Sequence, residues 1–205
     1  MNFYYWVGYH LSWLLGKIFF RLRILHRERM INSGPVIVAS NHQSYLDPPF
    51  VGVTADRAMY FLARRTLLKW PVLGPLLPKV NVIPVDQESA DRTALKSIIR
   101  VLRAGEGVLV FPEGSRTLDG NLLPAEPGLG FIIAKTLAPV VPIRIFGAHE
   151  AFPRNGKPRL FRRITLVVGE PMQFTESDLQ PRDKELFLRL SQRVMERIAA
   201  LQIDG

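Results

Sequence analysis

No cysteine occurs in the 205 residues. That excludes a disulfide framework, cysteine-bearing zinc or iron–sulfur sites, and any mechanism that uses a cysteine nucleophile. Histidine is scarce as well, at four, and no HExxH or other metal-ligand spacing occurs, so no resident metal is expected. The G-x-S-x-G elbow of serine hydrolases and the G-x-x-x-x-G-K of a phosphate loop are both missing. Acidic residues are outnumbered: 18 Asp and Glu stand against 27 Lys and Arg, a formal charge of +9. Such an excess favours anionic company, whether nucleic acid, an acidic membrane surface or a phosphorylated substrate. The basic residues are scattered without a nucleic-acid fold signature, so no nucleic-acid partner is expected.

What remains is globular. Charged residues make up 22% of the chain and the hydrophobic set 47%, which suits a packed domain rather than a disordered chain. The length holds one full domain and is too short for two plus a linker. The one long apolar run stands at the start. From Phe3 to Phe20 the only formal charge is Lys17, while Tyr4, Tyr5, Trp6, Tyr9, Trp13, Phe19 and Phe20 crowd the segment. As a helix it reaches roughly 27 Å, just short of a hydrocarbon core. No basic stretch precedes it and no small-residue cleavage site follows, which argues against a secretory signal. Arg21, Arg23, Arg27 and Arg29 come afterwards. Aromatics followed by arginines predict a helix lying in, or dipping into, one leaflet from the cytoplasmic side. The alternative is an amphipathic helix that simply packs on the domain. Gly8, Ser12 and Gly16 form a small-residue stripe that permits close helix approach in a membrane.

Beyond residue 30 the pattern alternates. Short apolar, β-branched runs bounded by Gly, Pro or Asn fall at 35–40, 58–63, 80–85, 107–111, 140–145 and 164–168. Helical spacing fills the gaps, most clearly at 89–104, with Ala94, Ile98 and Leu102 on one face. A last helix is predicted over 180–201 from Leu186, Leu190, Val194 and Ile198. The alternation predicts an α/β fold: a single domain with a mainly parallel sheet flanked by helices. Residues 1–30 form the N-terminal membrane-associating helix in this reading, and residues 31–205 the domain.

Two polar motifs leave the ends of buried strands. The first is Asn41-His-Gln-Ser-Tyr-Leu-Asp47. A strand-to-helix turn there can fold the Asp47 carboxylate onto one ring nitrogen of His42 and leave the other free to accept a proton. This is the base and orienter of a Ser-His-Asp triad, with a substrate hydroxyl in the nucleophile's place. A His–Asp pair that merely caps a helix is the structural alternative. The second motif is Pro112-Glu-Gly-Ser-Arg116, after the strand Gly107-Val-Leu-Val-Phe111. Its Pro and Gly force a tight turn that presents backbone N–H groups, and Arg116 offers a planar fork suited to phosphate. Open α/β sheets bind ligands at the C-terminal ends of their strands. A base and a phosphate clamp on one such edge describe an enzyme that deprotonates a hydroxyl on a phosphorylated substrate.

In this order and at this separation, the two motifs resemble the first and third signature blocks of the glycerophospholipid acyltransferases. Ala138-Pro-Val-Val-Pro-Ile143 is similar to the fourth block, and Arg64-Arg-Thr-Leu-Leu-Lys-Trp-Pro-Val-Leu-Gly74 to the basic stretch before the second. The second block usually ends in an arginine that helps hold the acceptor phosphate. Here Asn81-Val-Ile-Pro-Val-Asp-Gln87 ends in Gln87, and Arg92 five residues on is the substitute at hand.

The resemblance makes residues 31–205 the acyltransferase domain. It implies transfer of a fatty acyl group from the thioester of acyl-CoA or acyl carrier protein to the free hydroxyl of 1-acyl-glycerol-3-phosphate. The thioester is a co-substrate, and no cofactor is implied. His42 is then the general base and Asp47 its orienting carboxylate. Arg116 and the Gly114 N–H bind the acceptor phosphate, Glu113 positions an arginine, and Ser115 and Arg92 belong to the same substrate-binding set. Arg64, Arg65 and Lys69 touch anionic lipid or the donor's phosphates. His149 follows the strand at 140–145 as a further candidate for the site lining. Expected partners are a lysophospholipid acceptor, the acyl donor and an anionic membrane surface on the cytoplasmic side. Gln87 keeps glycerol-3-phosphate and a lyso-aminolipid open as acceptors, and a non-catalytic basic membrane-binding module is the remaining alternative.

Overall fold

The computed structural model describes residues 1–71, 74–85 and 92–203, for Arg92 the backbone only. Gln87 lies outside the described residues, as does the Arg92 side chain.

The sheet strands are β1 (Arg23–Leu25), β2 (Val36–Ser40), β3 (Met59–Arg64), β4 (Val82–Val85), β5 (Gly107–Val110), β6 (Val140–Phe146) and β7 (Thr165–Val168). Their order is β1-β7-β6-β2-β5-β3-β4. From β6 to β4 all neighbours are parallel, and β7 runs antiparallel to β6. β2 sits between β5 and β6 with every residue buried, which is why Val36-Ile-Val-Ala reads as a continuous apolar run rather than an alternating one. Successive side chains still face opposite ways. Val36 and Val38 join the core beneath the helices α1 (Phe3–Phe20) and α2 (Asp47–Gly52). Ile37 and Ala39 join the core on the other face, covered by α3 (Arg92–Arg103), α4 (Gly128–Thr136) and α6 (Leu186–Ala200). The layers are therefore helix, sheet, helix, with a short α5 (Ala148–Ala151) after β6.

The stripes expected on α3 and α6 are buried: Ala94, Ile98 and Leu102 on one, Leu186, Leu190, Val194 and Ile198 on the other. α6 starts at Leu186 rather than near 180. Pro181 has no N–H to give a helix, and Asp183 accepts the Glu185 N–H at 3.0 Å in the turn before it. α4 is an element the periodicity does not reveal, because Gly128 and Gly130 lower its intrinsic helix preference. Gly130 is required by contact: a Cβ there would lie 1.8 Å from the Phe187 carbonyl oxygen of α6.

The N-terminal segment differs from its expected form. α1 ends at Phe20, with Arg21 in the left-handed region at φ 44°. Residues 23–25 then enter the sheet as β1 beside β7, so a boundary at residue 30 would cut through the sheet. One face of α1 packs on the domain through Tyr5, Gly16 and Phe20. The small-residue stripe points inward as well. A Cβ on Gly16 would meet Leu22 at 2.7 Å and Phe50 at 3.2 Å, so its close partner is the domain and not a second membrane helix. The opposite face leaves Phe3, Trp6, Val7, Leu11, Leu14 and Ile18 exposed. Among the described residues no helix is long and apolar enough to cross a membrane.

Candidate active site

The ends of β2, β5 and β6 meet at one edge of the sheet, and the first motif begins where β2 stops. Asn41 is buried, and its side chain continues the ladder: Nδ2 donates to the Ile145 carbonyl at 3.1 Å and Oδ1 accepts the Ile145 N–H at 2.7 Å. The chain then turns, and α2 starts at Asp47 with Pro48 and Pro49 in its first turn, where a missing N–H costs nothing.

Asp47 is fully buried. Its Oδ2 accepts the backbone N–H groups of Gln43 at 2.6 Å and Ser44 at 2.7 Å, and lies 2.8 Å from His42 Nδ1. A carboxylate oxygen already accepting two amides can only accept from the ring, so Nδ1 carries the hydrogen and Nε2 is left with its lone pair. Phe111 lies flat against the imidazole, 3.8 Å between centroids and 10° between planes. The ring is thus held by a hydrogen bond at one nitrogen and by packing on one face.

The second motif closes over the first. Thr117 N–H donates to the His42 carbonyl at 2.9 Å, and Gln43 Nε2 donates to the Gly120 carbonyl at 3.0 Å. Arg116 stacks on Tyr45, its guanidinium carbon 3.6 Å from the ring centroid, and its Nη1 is buried without a hydrogen-bond partner. A buried donor with nothing to bind is costly unless a ligand completes it. Arg154 Nη1 donates to the Arg116 carbonyl at 3.0 Å.

A family model described as Acyltransferase matches residues 21–146, more than half of the chain. The chain belongs to the Acyltransferase family. It is 27% identical over 184 residues to the 1-acyl-sn-glycerol-3-phosphate acyltransferase of Bacillus subtilis, covering 88% of each protein. To the human 1-acyl-sn-glycerol-3-phosphate acyltransferase beta it is 30% identical over 157 residues, 74% of this chain and 56% of that one. The chain spans only 43% of the chloroplastic relative BAT2 from Brassica napus, at 29% identity. The crystal structure of the 1-acyl-sn-glycerophosphate acyltransferase PlsC from Thermotoga maritima has the same fold, with a TM-score of 0.70 at 24% identity over 98% of this chain and 79% of that one.

In this member of the family the residues expected at the site fall into two groups. His42, Asp47, Glu113, Gly114, Ser115 and Arg116 come together across the ends of β2 and β5, while Arg64, Arg65 and Lys69 stand exposed at the end of β3. Two expected roles change. The Gly114 N–H donates to the Phe111 carbonyl at 3.1 Å, closing the turn that its φ of 65° permits, so this amide is engaged and does not point at a ligand. Glu113 is buried, and among the described residues no arginine forms a hydrogen bond or ion pair with its carboxylate. Burial above all, and the charge of Asp47 slightly, push its pKa up to about 8, against a weaker pull from the backbone of His42 and Leu123.

Three further side chains shape the candidate site. Gln43 bridges two loops, since its Oε1 also faces the His149 N–H at 3.4 Å. Tyr45 is the platform for Arg116, and Arg154 holds the Arg116 backbone. Gln43 and Tyr45 stand inside the first motif and were within reach of a reading of it. Arg154 is one of five basic residues between 154 and 163, and no local pattern singles it out. His149 comes beside the site through Gly120 and Gln43, with Nδ1 buried and unpartnered.

Proposed function

We propose that the chain transfers a fatty acyl group from the thioester of acyl-CoA or acyl carrier protein to the free hydroxyl of 1-acyl-glycerol-3-phosphate, giving phosphatidic acid. One observation carries the reading: His42, with Nδ1 on Asp47 at 2.8 Å, shares a sheet edge with Arg116, whose buried Nη1 lacks a partner. Nε2 of His42 takes the proton of the acceptor hydroxyl as its oxygen attacks the thioester carbonyl. The carbon–sulfur bond then breaks, and the thiolate leaves with the proton that His42 returns. Attack is direct, so no acyl-enzyme and no nucleophilic side chain are required. Arg116 receives the acceptor phosphate as a planar, charged fork. The names of the relatives from Bacillus subtilis and human support this acceptor.

The acceptor is a membrane lipid, and the reaction takes place at an anionic membrane surface on the cytoplasmic side. The exposed apolar face of α1 supports this, with Leu160 and Phe161 exposed beside its end, where the Phe161 ring meets that of Phe19 at 6.3 Å. Arg159, Arg162 and Arg163 flank that pair and suit acidic headgroups. In this reading the helix lies in the interface, with the domain hanging from it.

The test is a panel of acceptors, 1-acyl-glycerol-3-phosphate, glycerol-3-phosphate and a lyso-aminolipid, each with labelled acyl-CoA and acyl carrier protein. Phosphatidic acid is the expected product, and His42→Ala lowers its rate by about 10²- to 10⁴-fold while the protein stays folded. Equal turnover in the variant, or acylation of another acceptor only, overturns the reading.

A further inference from the structure

The acceptor phosphate proposed above is a monoester carrying about −1.5 to −2 charge at neutral pH. Arg116 supplies a single positive charge, and the Gly114 amide is already engaged. The structure holds a second cation at the same place. Arg154 is half-buried, and one of its nitrogens, Nη1, donates to the Arg116 carbonyl at 3.0 Å. A guanidinium has five N–H donors in a fixed fork, so most of them remain for a ligand. Among the described residues, no carboxylate forms an ion pair with Arg154 or Arg116, and no Asp or Glu occurs between 151 and 169.

The backbone around Arg154 is fixed. Gly156 N–H donates to the Pro153 carbonyl at 3.2 Å and Arg159 N–H to the Ala151 carbonyl at 2.7 Å. Upstream, Phe152 packs against Tyr45 at 5.7 Å between centroids, and its carbonyl accepts the Ser44 hydroxyl at 2.8 Å. Tyr45 in turn carries the Arg116 guanidinium. The first motif, the second motif and the loop after α5 thus converge on two arginines that, among the described residues, have no ion-pair partner. A preorganised pair of this kind binds a doubly charged oxyanion more tightly than either member alone.

We propose that Arg154 is a phosphate-binding residue, the second cation of the acceptor site, acting beside Arg116 on the lipid's phosphomonoester. This rests on the function proposed above, and it places a specificity determinant in the loop after α5, outside both motifs.

The test separates charge from tethering. Arg154→Gln keeps an N–H donor for the Arg116 carbonyl and removes the charge, whereas Arg154→Lys keeps the charge. Acylation of 1-acyl-glycerol-3-phosphate is measured for each, with inorganic phosphate as a competing probe and 1-acylglycerol as an acceptor without phosphate. Arg154→Gln is expected to raise KM for the phosphorylated acceptor by about tenfold to a hundredfold, with kcat changed less than threefold. It should weaken inhibition by inorganic phosphate in parallel and alter 1-acylglycerol turnover far less than turnover of the phosphorylated acceptor, while Arg154→Lys stays within about threefold of the parent in KM. An unchanged KM in Arg154→Gln overturns the proposal. So does an equal loss with both acceptors, which is the signature of a tether. If the parent protein acylates no phosphorylated acceptor, the proposed function itself has failed, and that is read before any variant is made.

Discussion

The ring of Phe111 lies flat on the imidazole of His42, 3.8 Å between centroids. The two residues stand 69 positions apart, yet each ends a central strand, His42 just past β2 and Phe111 just past β5, and these strands are direct neighbours. The contact makes the two motifs one packed unit. Phe111 limits how the ring can rotate about the hydrogen bond to Asp47, and so it fixes the direction in which Nε2 points.

Phe111→Leu keeps an apolar side chain but removes the flat wall. An aromatic contact of this kind contributes about 0.5–1.5 kcal/mol beyond its area, so kcat should fall by up to about tenfold. KM for the acceptor should change little, because Arg116 is untouched. Steady-state rates with varied acceptor concentration check this, and a rise in KM alone would contradict it.

Asp47→Asn removes the charge but leaves the volume. The Asn side chain must still accept from Gln43 and Ser44 through its one carbonyl oxygen, and it offers His42 no comparable partner. The ring then loses its fixed tautomer. Turnover should fall by at least about a hundredfold, and stability should also drop, since the site is fully buried. Product formation and urea unfolding measure the two losses separately.

Glu113 makes stability depend on pH with a definite sign. Its folded pKa, about 8, lies above the ordinary 4.5, so the folded state keeps a proton that the unfolded chain has lost. The stability this gives is complete below about pH 4.5 and disappears as pH rises to about 8. Glu113→Gln stays neutral throughout. The variant should therefore gain on the parent as pH rises across that window, by up to a few kcal/mol. Urea midpoints at pH 5 and pH 8.5 test it, and parallel curves for the two proteins would sink the assignment.

The exposed side of α1 gives the membrane reading a direct check. Leu11→Asp with Leu14→Asp alters two exposed positions, at 51% and 48%, and leaves Tyr5, Gly16 and Phe20 packed. Co-sedimentation with anionic phosphatidylglycerol vesicles should fall by at least about tenfold, since each substitution replaces an exposed apolar group that would enter the membrane interface with a charge. Turnover of a short-chain, water-soluble acceptor should be unaffected. Removing residues 1–20 is a poorer probe, because Tyr5 and Phe20 are part of the core.

Much of this was legible from the chain alone, and for a physical reason. Burial imposes a period, so the apolar runs at 35–40, 107–111 and 140–145 and the stripes on α3 and α6 announced themselves without any tertiary knowledge. The His42–Asp47 pair is legible for a similar reason, since a single strand-to-helix turn between residues five apart can bring their side chains within a hydrogen bond. Other features depended on which strands became neighbours. Glycines hid α4, and three residues were too few to mark β1. Whether the Gly114 amide was free, whether Glu113 met an arginine, and which basic residue of many stood by Arg116 are questions about groups far apart in sequence. Arg154 and Arg116 are 38 positions apart. Local spacing carries no information on such a contact; the order β6-β2-β5 brings both loops to one edge of the sheet, and only that order decides it.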